Sequence, residues 1–179
     1  MNELIDRSKT HLRELQARLN DRLRETSDGA GQDARLGLMI GGERYLVELS
    51  EAGEIVSAST PIMPVPLTHD WFRGLVNLRG MLFAVSDLAR FGGGEATPLS
   101  KESRLLALAS RLNFNAAILV TRMMGLQNVS TMIDETPGAI IDAARPWIAR
   151  SLRDDEGRSW YELSLQRLIG DERFVMVER

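Results

Sequence analysis

The chain has 179 residues, 44% hydrophobic and 26% charged, which suits one domain or two small subdomains closely packed. Cysteine is absent, so disulfides and thiolate metal sites are excluded, and a net charge of −3 offers no basic face for nucleic acid. Charges interrupt Met1–Leu15, so no signal-peptide core forms there, and no apolar run approaches the ~20 residues that span a bilayer. The expected compartment is the cytoplasm.

In chain order, residues 1–25 read as an amphipathic helix, with Leu12, Leu15, Leu19 and Leu23 at spacings of three and four and Leu4 and Ile5 extending the stripe. Such a stripe packs either on its own domain or against another chain, which makes self-association one expectation. Its acids accompany its bases almost one for one, which argues against a membrane-surface helix. Residues 26–35 form a polar, glycine-containing linker. The periodicity then changes. Leu36–Ile40 and Arg44–Leu49 predict a hairpin around Gly41-Gly42, with a third strand over Glu54–Ala58. Pro61, Pro64 and Pro66 hold the next stretch extended.

Gly74–Leu78 and Met81–Val85 predict two more strands, and Asp87 caps a helical turn over Leu88–Phe91. After Gly92-Gly93-Gly94, strands are expected over Arg104–Ala109 and Ala116–Arg122, with a turn at Asn113–Asn115 between them. Val129–Met132 reads as another strand. Pro137 and Pro146 bound an irregular stretch. Trp160–Leu163, a short helix over Ser164–Ile169 and a final strand over Arg173–Val177 close the chain. Many short strands between glycine and proline turns predict a mainly β, small-barrel protein. The order over Met39–Ala58 is echoed over Leu106–Met132, as two related barrels would require.

No catalytic constellation is visible. His11 lies on the helix stripe and His69 in the proline-rich loop, neither with a second histidine or a carboxylate cluster at ligand spacing. There is no Gly-x-Ser-x-Gly elbow, and Gly92–Gly94 lacks the Gly-Lys-Ser/Thr ending of a phosphate loop. Asp154-Asp155-Glu156 lacks the later bidentate glutamate of a calcium loop and reads as a solvated hairpin tip. A non-enzyme without cofactor or metal is expected.

The informative segment runs from Pro64 to Leu88. Trp71 and Phe72 anchor the loop on the core, Gly74 permits a close approach, and Asn77 and Arg79 are polar inside an otherwise apolar stretch. The guanidinium of Arg79 is either paired internally or offered to a partner. Trp71, Gly74, Asn77-Leu78-Arg79-Gly80 and Asp87-Leu88, at this spacing, closely resemble the pattern of the CheW family. Glu54-Ile55 and Gly125-Leu126 are similar to further family positions. The resemblance covers residues 36–177.

The resemblance implies two small five-stranded, Src-homology-3-like barrels around a shared core. It implies no catalysis, and an adaptor that joins a methyl-accepting chemoreceptor's cytoplasmic tip to the regulatory domain of a CheA-type histidine kinase, in arrays at the inner membrane. Carried onto this chain, the interface candidates are Ala52, Glu54, Gly74, Asn77 and Arg79. The N-terminal helical extension and altered C-terminal end resemble the PilI type of this family, which serves type IV pilus twitching motility rather than flagellar chemotaxis. The flagellar role is one alternative. A small-barrel nucleic-acid binder is another, disfavoured by 6% aromatic residues in an acidic chain.

Overall fold

The computed structural model describes residues 33–135 and 143–179. The expected helix over 1–25, most of the 26–35 linker and Pro137 lie outside the described residues. The chain divides into two units, Met1–Ala34 and Arg35–Arg179, and nearly all the described residues belong to the second.

Twelve strands are described: β1 (Ala34–Ile40), β2 (Glu43–Glu48), β3 (Ala52–Ser57), β4 (Ile62–Met63), β5 (Phe72–Leu78), β6 (Met81–Ser86), β7 (Arg104–Leu108), β8 (Ala116–Val120), β9 (Arg122–Asn128), β10 (Ile133–Asp134), β11 (Ile148–Arg153) and β12 (Ser159–Leu163). Three short helices accompany them: α1 (Leu88–Phe91), α2 (Leu165–Ile169) and α3 (Glu172–Val175). The first sheet runs β10-β11-β12-β2-β1-β9 and the second β3-β7-β8-β6-β5-β4. Each therefore has five longer strands and a two-residue strand at one edge. Among the described residues no helix is long and apolar enough to cross a membrane.

Alternation along the strands builds three cores. In β8 every residue is buried: Ala116, Ile118 and Val120 face a core shared by the two sheets, while Ala117 and Leu119 face one belonging to the second sheet alone. In β2, Tyr45 and Val47 face the shared core and Leu46 turns to a third, with Val129, Leu152 and Trp160. The second sheet's own core takes side chains from all its strands, with Val56 of β3 and Ile62 of β4 packed against it. The sheet must curl for its two edges to reach one core. Two curled sheets packed back to back are the barrel pair that the sequence predicts.

Most expected elements stand. Gly41 and Gly42, both at positive φ, turn the β1–β2 hairpin, and Asp87 caps α1 by accepting the Arg90 backbone N–H. β1 starts at Ala34 because Arg35 already has a registered partner in Glu48. Two expectations are corrected. Val129–Thr131 is a 3-10 turn rather than a strand, since the Asn128 side chain accepts the Ser130 N–H and starts it. The expected final strand over Arg173–Val177 is instead α3, capped by Asp171, so that Phe174 can stack on Trp71 at 5.7 Å. Only a single bridge, Thr68 to Glu178, is extended pairing there. β4, β9, β10 and β11 are strands the patterning did not predict; β4 falls in the stretch expected only to be extended.

Candidate partner-docking surface

The β5–β6 hairpin positions the residues singled out by the sequence. Leu78 and Met81 pair across a two-residue turn in which Arg79 (φ 51) and Gly80 (φ 87) both take positive φ. This is the type I′ geometry that matches strand twist. Asn77 completes it, its Oδ1 accepting the Gly80 N–H at 2.8 Å. A non-glycine residue at positive φ is uncommon, and here it throws the Arg79 side chain outward. That side chain is 82% exposed.

Glu54 of β3 meets it from the opposite edge of the curled sheet. Its Oε1 accepts from Arg79 Nη2 at 3.0 Å and Nε at 3.2 Å. An exposed pair of this kind contributes at most ~1 kcal/mol to stability. Its effect is orientation: one carboxylate oxygen holds one edge of the guanidinium and leaves the rest in solvent. Asn77, Arg79 and Glu54 thus form one cluster at the hairpin tip. Around it lie apolar side chains that sequence reasoning passed over: Ile55, Met81 and Leu82, all exposed. Leu82 stands opposite Asn77 across the hairpin. The available signal was an apolar run, Met81–Val85, with no polar residue on either face, although one face meets solvent at this end.

Gly74 and Ala52 are placed differently. Gly74 is buried at φ 122, and a Cβ there would lie 2.1 Å from the Met63 carbonyl oxygen. It lets the Met63-Pro64 backbone lie close against β5 where β4 pairs with it, and it has no side chain to offer a partner. Ala52 is half-buried at the start of β3, packed on the shared core, and a register shift before Ile55 turns the rest of the strand to the second sheet's own core. Neither residue presents a side chain at the hairpin tip.

An aromatic cluster stands at the start of β5, at the far end of this hairpin from its tip. Trp71 stacks on Phe174 and on His69 (5.8 Å), with the Phe91 edge at 5.0 Å. Beside it Arg90 donates to Asp70 and holds that carboxyl below its ordinary range. The fully buried Asp87 accepts the Thr97 N–H (2.7 Å) and hydroxyl (2.8 Å) and pairs with Arg73 at 3.4 Å. A separate cavity of about 440 Å³ lies between the β1–β2 turn and α1, lined by Glu43, Tyr45, Leu88, Gly93, Arg145 and Trp147. Its polar wall is closed on itself, with Glu43 accepting from Tyr45 (2.7 Å) and Arg145 (3.0 Å). Burial and the Glu43 carboxylate push the Tyr45 phenol well above its usual value, so it stays protonated. Among the described residues no three histidine, aspartate or glutamate side chains are grouped to hold a metal ion.

The "solvated tip" reading of Asp154-Asp155-Glu156 needs correction in part. The segment is the tip between β11 and β12, but Asp154 is buried. It accepts from the Glu156 and Arg158 backbone N–H groups, from Arg158 Nε (2.7 Å) and from the Trp160 indole (2.8 Å). Burial alone would raise its pKa; the Trp160 and Arg158 donors outweigh that and hold it at about 2.

The chain is similar to known proteins in sequence and in fold. The family model described as CheW-like domain matches residues 35–173. Protein PilI of Pseudomonas aeruginosa is 30% identical over 104 residues, 57% of this chain, and the match spans only 57% of that protein's length. The crystal structure of the scaffolding protein TtCheW from Thermoanaerobacter tengcongensis has the same fold. It superposes with a TM-score of 0.66 at 20% identity, covering 82% of this chain and 99% of that one.

Proposed function

This chain belongs to the CheW-like domain family, and from that premise we propose that it is a non-catalytic adaptor. It joins a methyl-accepting chemoreceptor to a CheA-type histidine kinase, and its likeness to Protein PilI supports a system that controls twitching motility by type IV pili. The receptor recruits it to arrays at the inner membrane.

The observation that carries this reading is the Arg79 cluster. Arg79 is exposed and pre-oriented by Glu54 and Asn77, and Ile55, Met81 and Leu82, close to these residues in the chain, are exposed as well. A charged anchor within an apolar rim is the composition of an interface centre. In this reading Arg79 and Asn77 contact the receptor tip, while Glu54 orients Arg79. Gly74 and Ala52 act by placing β4 and β3 beneath.

Binding of a receptor-tip fragment and of the kinase regulatory domain, measured separately by calorimetry, tests the proposal. A central interface residue contributes ~2 kcal/mol or more, so Arg79→Glu weakens receptor binding about thirtyfold or more. Receptor binding unchanged in a folded variant removes Arg79 from the interface. Binding of neither partner by the wild type overturns the adaptor reading.

A further inference from the structure

The inner face of the first sheet is lined with arginines at both ends, and the two ends differ. Strand alternation puts Arg35, Arg44 and Leu46 on one face, because Arg35 pairs with Glu48 in register, Gly37 with Leu46, and Met39 with Arg44. At one end the arginines are saturated. Arg35 donates to Glu162 at 2.7 Å and lies 3.8 Å from Glu48, and Arg150 binds Glu162 and pairs with Asp134 at 3.8 Å. Burial opposes the charge on Glu162, but the two guanidiniums hold its carboxyl below the ordinary range.

At the other end, Arg44 has no such partner. It is half-buried, and its enclosed Nε is, among the described residues, a buried side-chain donor with nothing to bond. Buried donors are nearly always paired, and an exception asks for an explanation. Arg122 lies on the same face two strands away. A Cβ on Gly37 would sit 3.3 Å from the Met124 Cβ, and the Thr121 N–H donates to the Met39 carbonyl at 2.8 Å, which sets Arg122 beside Met39. Arg122 is exposed and, among the described residues, forms no ion pair. The row Arg44, Met39, Arg122 thus crosses three neighbouring strands, β2, β1 and β9, with ~10 Å between the outer two backbones.

β12 runs parallel to β2, so the 154–158 turn lies at this same end. Its acids do not neutralise the row. Asp154 is held by Arg158 and Trp160, Glu156 pairs with Arg158 at 2.6 Å, and the exposed Asp155 pairs with neither Arg44 nor Arg122.

We infer that this end of the first barrel, with Arg44 and Arg122 on either side of Met39, is a second docking surface, for an acidic segment of a partner protein. A Glu or Asp carboxylate of that segment bridges the two guanidiniums, while its apolar neighbours cover Met39. Planar guanidiniums match carboxylates bidentately, and the pairing is stronger where water is excluded. The surface is separate from the Arg79 cluster on the second sheet and does not depend on that reading.

The test titrates the full chain, followed by NMR, with three probes: a short peptide alternating leucine and glutamate, its glutamine counterpart, and inorganic phosphate. The glutamate peptide is expected to shift the resonances of Arg44, Met39 and Arg122. Arg44→Gln and Arg122→Gln each weaken it at least tenfold, and Arg167→Gln, an exposed arginine on α2, leaves it unchanged. Arg44→Met keeps or raises the melting temperature, since it removes an unpaired buried donor, and still loses the peptide; Arg35→Met lowers the melting temperature. The proposal is overturned by no binding of the glutamate peptide, by equal binding of the glutamine peptide or phosphate, or by an equal loss in Arg167→Gln. A fall in melting temperature for Arg44→Met matching that for Arg35→Met also overturns it, because Arg44 is then structural.

Discussion

At the scale of single residues, stability and recognition separate. Glu54 and Arg79 are exposed, so Glu54→Ala costs less than ~1 kcal/mol in denaturant unfolding, yet it frees the guanidinium and weakens the receptor-tip complex. A large loss of stability in that variant would assign the pair a structural role instead. Gly74→Ala behaves in the opposite way. The new methyl meets the Met63 carbonyl at 2.1 Å in a φ that side chains avoid, and ~2 kcal/mol or more is lost in the same measurement. Asp154 gives a pH signature. Its carboxyl ionises at about 2 when folded and near 3.8 when unfolded, so its contribution is present above pH 4 and is lost as pH falls toward 2. About 2 kcal/mol of acid sensitivity in that window should vanish in Asp154→Asn. The Trp71–Leu88 motif was readable as a cluster of special residues. That Asp154 is buried was not, because its partners Arg158 and Trp160 reach it only through the hairpin's own closure.

At the scale of elements, the sequence succeeds where one face is apolar and fails where tertiary partners override the pattern. β2, β5, β6 and β8 are apolar enough to be read directly. β11, Ile-Ala-Arg-Ser-Leu-Arg, hides its alternation because one of its sheet-face positions is Arg150, an arginine paired with Glu162 on β12 and Asp134 on β10. The run Arg173–Val177 has the residues of a strand, but Asp171 accepts the Arg173 N–H at 3.0 Å and turns it into α3. A similar long-range dependence holds α2. Buried Glu51, 114 positions earlier, accepts the Leu165 N–H at 2.6 Å and the Gln166 N–H at 3.3 Å. Glu51→Ala leaves the buried Leu165 N–H unpaired and costs about 2 kcal/mol, read as a lower denaturation midpoint with unchanged slope. No spacing rule links Glu51 to residue 165, so this contact could not be read in advance.

At the scale of the molecule, the faint echo between Met39–Ala58 and Leu106–Met132 has a structural meaning. Advancing each strand of the second sheet by six positions, and continuing from β12 to β1, turns β4-β5-β6-β8-β7-β3 into β10-β11-β12-β2-β1-β9, the order of the first. β3 and β9 are exchanged: each follows a hairpin of one sheet and completes the other. The two halves are therefore interwoven, and the shared core has no seam along which they could part. One cooperative unfolding transition is expected for the unit Arg35–Arg179. The exchange also explains the Arg79 cluster, since Glu54 reaches the β5–β6 tip only because β3 belongs to that sheet.

An adaptor of the proposed kind links two different partners through separate surfaces. The most direct measurement is sedimentation of receptor-tip assemblies with the kinase regulatory domain, with and without the chain. The kinase domain is expected to co-sediment only when the chain is present, and Arg79→Glu is expected to release both chain and kinase from the receptor while the chain–kinase pair persists in solution. Kinase co-sedimentation that is the same without the chain, or no association of the chain with either partner, would contradict the adaptor role.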